Sequence, residues 1–206
     1  MRGVFRGEEA LQYHLNLKNS GKTPYDKFIL RSVEYTKQMK VLDMGCGSGE
    51  IVKLLKNKCW IKGYDASKDL VKIAIDKNVH LGDITKLKEK TGAYDLIIMK
   101  MVLHHIFQHK NILNEVYRLL KPNGKFILID YYRLKNPLLT KLYDIKFYFK
   151  KGKKCFFRHS HYSKKQLNKW LFPRFKLLKK EIVQFPKKQK EKSKHFERYM
   201  YLLEKD

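Results

Sequence analysis

Five short apolar runs, at residues 39–44, 60–65, 79–83, 94–100 and 125–130, alternate with stretches of helical periodicity. That rhythm restricts the chain to few folds. Residues 50–58, 68–77 and 110–120 carry the helical spacing; Leu70, Ile73 and Ala74 share one face of the second, and Pro122-Asn123-Gly124 stops the third. Strands separated by helices pair in parallel, because each crossover must travel back along the sheet, and the helices then cover both faces. The unbroken apolar run at 94–100 suits a strand buried on both sides. Two further helices are expected at 8–17 and 25–37, divided by a turn at 19–24, and two closing strands at 175–183 and 199–203, antiparallel at a sheet edge. Ligands of such sheets bind beyond the carboxyl ends of the strands, where strand order reverses. The strand-end residues Asp43, Asp65, Asp83, Lys100 and Asp130 are therefore where chemistry is first sought.

The first run ends in Asp43-Met44-Gly45-Cys46-Gly47-Ser48-Gly49. Gly45 and Gly47 allow the backbone to turn sharply and lie against a ligand. The phosphate loop GxxxxGK[ST] is absent, and the glycine spacing is one residue shorter than the dinucleotide GxGxxG, which argues against a nicotinamide enzyme. Asp65 ends the second run 22 residues after Asp43, where a carboxylate can accept from both ribose hydroxyls. The helix from Glu50 points its amino end at the same place and favours a carboxylate there.

The motif DxGxGxG straight after a first strand resembles the class I S-adenosylmethionine-dependent methyltransferase family, especially its small-molecule, quinone and tRNA group. The resemblance covers residues 40–130 well and the rest loosely. It implies an α/β, Rossmann-like, doubly wound seven-stranded sheet, mostly parallel with the last strand antiparallel and helices on both faces. It implies one methyltransferase domain over 1–206, with N-terminal helices at 1–38, a cofactor-binding core at 39–130, a basic aromatic acceptor-side insertion at 131–174 and closing strands at 175–206. The cofactor would be S-adenosyl-L-methionine. Asp43, Gly45, Cys46, Gly47 and Gly49 would hold its methionine end, Asp65 and Ala66 its ribose, Asp83 and Ile84 its adenine. Lys100 and Met101 would line the sulfonium side, with Lys100 standing where the family has a small or neutral residue.

Methyl transfer from a sulfonium is an in-line displacement, so holding donor and acceptor in line supplies most of the catalysis. A base is needed only if the acceptor must lose a proton. His104 and His105, after the fourth run, are the candidates; packing and hydrogen bonding are the plainer roles for both. His105 and His109 have a metal-binding spacing but no acid between them, and no metal is expected. Met99-Lys100-Met101-Val102 lacks the Asn/Asp-Pro-Pro-aromatic motif of DNA amino methylation.

Lys and Arg number 46 against 20 Asp and Glu, a net charge of +26. Residues 137–206 hold 21 basic and 6 acidic residues, a net of +15. Such a field attracts polyanions, although a lysine-rich compositional bias would produce it too. Residues 146–165 hold eight Lys or Arg, no acid and six aromatics. That mixture suits an anionic membrane surface, RNA, or a solvated lysine face over an aromatic core. A helix is expected at 137–149 and another at 163–171 capped by Ser163, while His159 and His161 stand near the acceptor side. Cys46, Cys59 and Cys155 form no CxxC pair and read as free thiols. No run is long and apolar enough to cross a bilayer, and the first residues lack a secretory apolar region, so a cytoplasmic protein is expected. The acceptor is read as a small or lipid-like molecule, with RNA methylation, on tRNA for instance, as the alternative.

Overall fold

Successive residues of a strand face opposite sides, and the central strands here are apolar on both. Val41, Leu96, Ile98, Ile127 and Ile129 enter one buried cluster, while Leu42, Met44, Ile97, Met99, Phe126 and Leu128 enter another. The computed structural model describes residues 5–18, 23–74, 76–133, 162–183 and 196–206. Its strands are β1 (Lys40–Met44), β2 (Trp60–Asp65), β3 (Val79–Leu81), β4 (Tyr94–Lys100), β5 (Leu120–Arg133), β6 (Phe175–Val183) and β7 (Phe196–Lys205). They form one seven-stranded sheet in the order β3-β2-β1-β4-β5-β7-β6. The first five pair in parallel, and β7 runs antiparallel to both β5 and β6. Strand order reverses between β1 and β4, which opens a crevice at their carboxyl ends.

The helices are α1 (Gly7–Lys18), α2 (Pro24–Ser32), α3 (Glu50–Leu55), α4 (Lys68–Lys72), α5 (His109–Leu119) and α6 (Lys164–Leu171). Phe28 and Ile29 of α2 and Ile51, Val52 and Leu55 of α3 bury against the Val41 face. Ile112, Leu113, Val116 and Leu119 of α5, with Leu167 and Leu171 of α6, bury against the other. Both α2 and α6 begin with a capping box, Thr23 with Asp26 and Ser163 with Gln166, which satisfies orphan N–H groups at the helix starts.

Helix ends depart from the sequence expectation. The helix expected at 25–37 stops at Ser32, where Ser32 Oγ donates to Phe28 O and Val33 is already extended. The helix expected at 50–58 ends at Leu55, whose carbonyl takes N–H bonds from Lys58 and Cys59 as the chain turns into β2. That expected at 68–77 is α4 alone, five residues long. The third strand stops at Leu81 because a Cβ at Gly82 would lie 2.7 Å from Tyr64, so the chain hugs that ring and turns away. Leu120 leaves α5 to pair with Tyr94, so Pro122-Asn123-Gly124 lies within β5, with Asn123 at φ 59. The expected helix at 137–149, the residues 146–161 of the basic segment, Cys155, His159 and His161 lie outside the described residues.

Candidate active site

The glycine loop leaves β1 at Met44 and is anchored on β2: the N–H groups of Gly45 and Cys46 both donate to Tyr64 O, at 2.7 and 3.1 Å. Gly45 has φ +80 and faces Val102; a Cβ there would fall 2.8 Å from Val102 Cγ1 and nearer still to Cγ2. Only glycine fits on both counts. Gly47 N donates to Asp65 Oδ2 at 2.9 Å, and Ser67 N to Asp65 Oδ1 at 2.7 Å. These two bonds fix the carboxylate at the end of β2. Burial raises the Asp65 pKa, and the N–H donors oppose that rise.

Asp43 lies beneath the loop, only 2% exposed, and its Oδ2 has no hydrogen-bond partner among the described residues. Burial pushes its pKa up to about 7; the Lys100 ammonium draws it down, and Glu50 and Asp65 raise it. Lys100 ends β4, with Nζ 3.4 Å from Asp26 Oδ1. The next residue, Met101, takes φ 60, rare for a non-glycine, and its N–H donates to Ile129 O at 2.7 Å. This turn lays Lys100, Met101 and Val102 along one wall of the cleft, opposite Gly45, Gly47, Asp65 and Ala66. The cleft encloses about 520 Å³, including space open to solvent.

The amino-terminal helix covers the cleft. Phe5 stacks on Tyr13 at 4.5 Å and meets His105 edge-on at 6.0 Å. Ser67 Oγ donates to Phe5 O at 2.6 Å, Gly7 N to Asp69 Oδ2 at 2.8 Å, and His14 Nδ1 bonds Ser48 Oγ at 2.7 Å. These contacts tie α1 to α4 and to the glycine loop. The two histidines after β4 differ in place. His104 is buried, its backbone N–H 3.1 Å from Asp130 Oδ2 and its Nδ1 2.7 Å from Asp130 Oδ1; burial pushes Asp130 up to about 7. His105 lines the cleft. His109 is buried and stacks on Trp170 at 4.5 Å; burial lowers its pKa to about 4. Among the described residues, no group of three His, Cys, Asp or Glu is placed to hold a metal.

Of the residues singled out from the sequence, Gly45, Gly47, Asp65, Ala66, Ile84, Lys100, Met101 and His105 come together on the cleft wall. Cys46 instead turns its thiol against Gly63 and into the core beside α3. Gly49 is the N-cap of α3. The Asp83 carboxylate accepts from Thr85 N and Oγ1, at 2.9 and 2.7 Å. Phe5, Tyr13, Leu70, Val102 and Ile106 also line the cleft and were not foreseen. For Tyr13 the one signal was an aromatic ring within the helix expected at 8–17.

These residues fit S-adenosylmethionine. The buried Asp43, with its Oδ2 unbonded among the described residues, suits its ammonium; Asp65, oriented by two N–H groups, suits ribose hydroxyls; Leu70 and Ile84 offer an apolar wall for a base.

A doubly wound sheet with a glycine loop and strand-end carboxylates at its switch point defines an α/β protein of the nucleoside-cofactor class. Residues 35–197 match the family described as "Methyltransferase domain", and the chain belongs to that family, in its class I S-adenosylmethionine-dependent form. It is 30% identical over 136 residues to the demethylmenaquinone methyltransferase of Leptospira interrogans, covering 58% of this chain and 55% of that protein. It is 27% identical over 120 residues to the ubiquinone/menaquinone biosynthesis C-methyltransferase of Methylococcus capsulatus, covering 52% and 48%. The chain thus spans about half the length of these relatives. In fold it is similar to the YcgJ protein of Bacillus subtilis, with a TM-score of 0.69 at 16% identity, over 88% of this chain and 97% of that one.

Proposed function

We propose that this protein transfers the methyl group of S-adenosylmethionine to a small, quinone-like acceptor. The observation that carries the reading is Asp65 on the cleft wall, oriented by two backbone N–H groups, with Asp43 buried beneath the glycine loop and its Oδ2 unbonded among the described residues. Quinone-type acceptors are named for both relatives above, which supports that class of acceptor.

When bound, S-adenosylmethionine supplies an electrophilic methyl group on a sulfonium. The protein's work is mainly to bind and align. Asp43 takes the ammonium, Asp65 the ribose hydroxyls, and Ile84 with Leu70 the adenine face. Asp83, whose Oδ1 is held by Thr85 N and Oγ1, would accept from the adenine amino group through Oδ2. Phe5 and Tyr13 close over the cleft and exclude water. His105, on the cleft wall, is placed to accept a proton from the acceptor; His104, bonded to Asp130, positions it. RNA methylation is the second reading, supported by the seven Lys or Arg and single acid in residues 162–183.

Calorimetric titration with S-adenosylhomocysteine and S-adenosylmethionine tests the donor half. Asp65→Ala should weaken both by about 100-fold, as expected for losing two charge-assisted hydrogen bonds. A wild-type protein that binds neither ligand would sink the proposal. Labelled donor incubated with reduced naphthoquinones tests the acceptor half, and label found in RNA instead would transfer support to the second reading.

A further inference from the structure

We propose that the β6 edge, together with the end of α6, is a docking surface for a bilayer of anionic phospholipid.

Sheet register places the residues. Leu177 pairs with Leu203, Lys180 with Tyr201 and Ile182 with Tyr199. Leu203, Tyr201 and Tyr199 enter the cluster that α5 and α6 cover, so Leu177, Lys180 and Ile182 lie on the face of β6 that α6 shares. β6 is the last strand of the sheet. Phe175 at its start is buried, but Leu177, Leu178 and Ile182, with Phe172 just after α6, are 36% to 42% exposed. Leu178 is the extra residue where the register shifts.

Lysines flank these side chains. Lys164, Lys165, Lys169, Lys176, Lys179 and Lys180 are all exposed. The single acid between 162 and 183 is Glu181, which Arg31 and Lys179 already engage, the latter at 3.1 Å. Lys164 stands beside Lys180; desolvation and that second ammonium hold Lys180 below the usual lysine range. An anion between the two would relieve the repulsion.

Lysine by itself guards an edge strand against pairing with another chain. Exposed Leu177, Leu178 and Ile182 work against that protection and leave apolar area in water. A bilayer surface accounts for both. Aliphatic side chains enter the boundary between headgroups and acyl chains, while lysines lay their methylene stems beside them and keep their ammonium groups at the phosphates. A nucleic acid would use the charge and leave the aliphatics in water. A second copy would cover the aliphatics but bring lysines against lysines.

The test is flotation of the full chain with vesicles of phosphatidylcholine, with and without phosphatidylglycerol. Wild type should float with the anionic vesicles and not with the neutral ones. Each lysine at such a surface is worth about fivefold in partitioning, so Lys164→Gln with Lys180→Gln should weaken attachment about 20-fold. Lys53→Gln with Lys58→Gln removes the same charge at α3, toward the other edge of the sheet, and should cost less than about threefold, since screening confines the attraction to lysines near the lipid. Leu177→Ser with Ile182→Ser leaves the charge at +26 and should weaken attachment about tenfold; Leu178→Ser serves if that pair does not fold. S-adenosylhomocysteine binding should be unchanged in every variant. Equal losses from the two lysine pairs would make attachment a property of the whole charge and overturn the proposal, as would serine variants that float like wild type. RNA affinity lost from the Lys164 and Lys180 variant without loss of flotation would assign the strip to nucleic acid. A dimer in sedimentation that the serine variants dissolve, without flotation, would assign it to a second copy. A wild type that binds S-adenosylhomocysteine but no vesicle loses this surface and keeps the methyltransferase reading; the reverse result does the opposite.

Discussion

Gly45 carries two constraints at once, a left-handed φ of +80 and the pressure of Val102 against its α-carbon. Alanine there meets about 1–2 kcal/mol of backbone strain and about 1–3 kcal/mol of overpacking. Gly45→Ala should therefore lose about 2–5 kcal/mol in denaturant unfolding, together with S-adenosylhomocysteine binding. Adding Val102→Ala should return part of the stability, since it removes the overlap and leaves the strain; strict additivity of the two changes would refute the overlap. Asp43 gives a second prediction. Its pKa is raised from 3.8 to about 7 by burial, so the native state holds a proton that the unfolded state has released. Its contribution to stability is complete below pH ~4 and is lost as the pH rises through ~7. Asp130, raised to about 7, acts with the same sign. Asp43→Asn should raise the melting temperature at pH 8 more than at pH 5 while weakening S-adenosylhomocysteine. Donor binding, which needs the carboxylate, should release a proton near pH 6–7 in calorimetry across buffers of different ionisation heat. The absence of proton release on binding would rule out Asp43 as the ammonium's partner.

At the scale of elements, strands were easier to read than helix ends. β1, β2, β4 and the 125–130 part of β5 announce themselves because each is an apolar run bounded by glycine, acid or proline, and the glycine loop follows from β1 directly. Helix ends are set by contacts far away in sequence: α4 ends after Lys72 although Ile73 and Ala74 continue the apolar spacing. The cover formed by α1 was illegible for the same reason, since Phe5 is held by Ser67, 62 residues distant. Cys46 falls within the motif but its side chain belongs to the core, a distinction between backbone and side chain that spacing does not make. The packing of α5 on α6 yields a further prediction. His109 of α5 stacks on Trp170 of α6 and meets Tyr162 edge-on, and burial lowers its pKa from 6.5 to about 4. A depressed histidine contributes stability above pH ~6.5 that is lost as the pH falls through ~4. This opposes Asp43 in the same window, so a variant must separate them. His109→Leu should stabilise the protein relative to wild type at pH 4.5 more than at pH 8. An equal effect at both values would mean His109 is not buried neutral.

For the whole molecule, the question is what a net charge of +26 serves. Among the described residues of the closing third, Tyr162, Phe175, Tyr199 and Tyr201 are at most 1% exposed, while Phe172 stays outside. The apolar side chains left outside on β6 are Leu177, Leu178 and Ile182, so this strand offers a nucleotide base no ring; the exposed rings Trp60, Phe107 and Phe172 lie on other elements. No helix among the described residues is long and apolar enough to cross a membrane. Sequence-specific reading of single-stranded RNA relies on stacking as well as phosphate contacts, whereas charge alone supports binding of any polyanion. The protein is therefore expected to bind tRNA, other RNA and heparin alike. For about 6–10 phosphate contacts, RNA affinity should fall about 10³-fold or more between 50 and 200 mM salt. Filter binding across that range, with unrelated RNAs in parallel, measures it. Labelled donor supplied to the same mixtures should leave the RNA unlabelled while a reduced naphthoquinone takes up methyl groups. A salt-resistant preference for one RNA, accompanied by label in it, would assign the charge to substrate recognition and make RNA the acceptor.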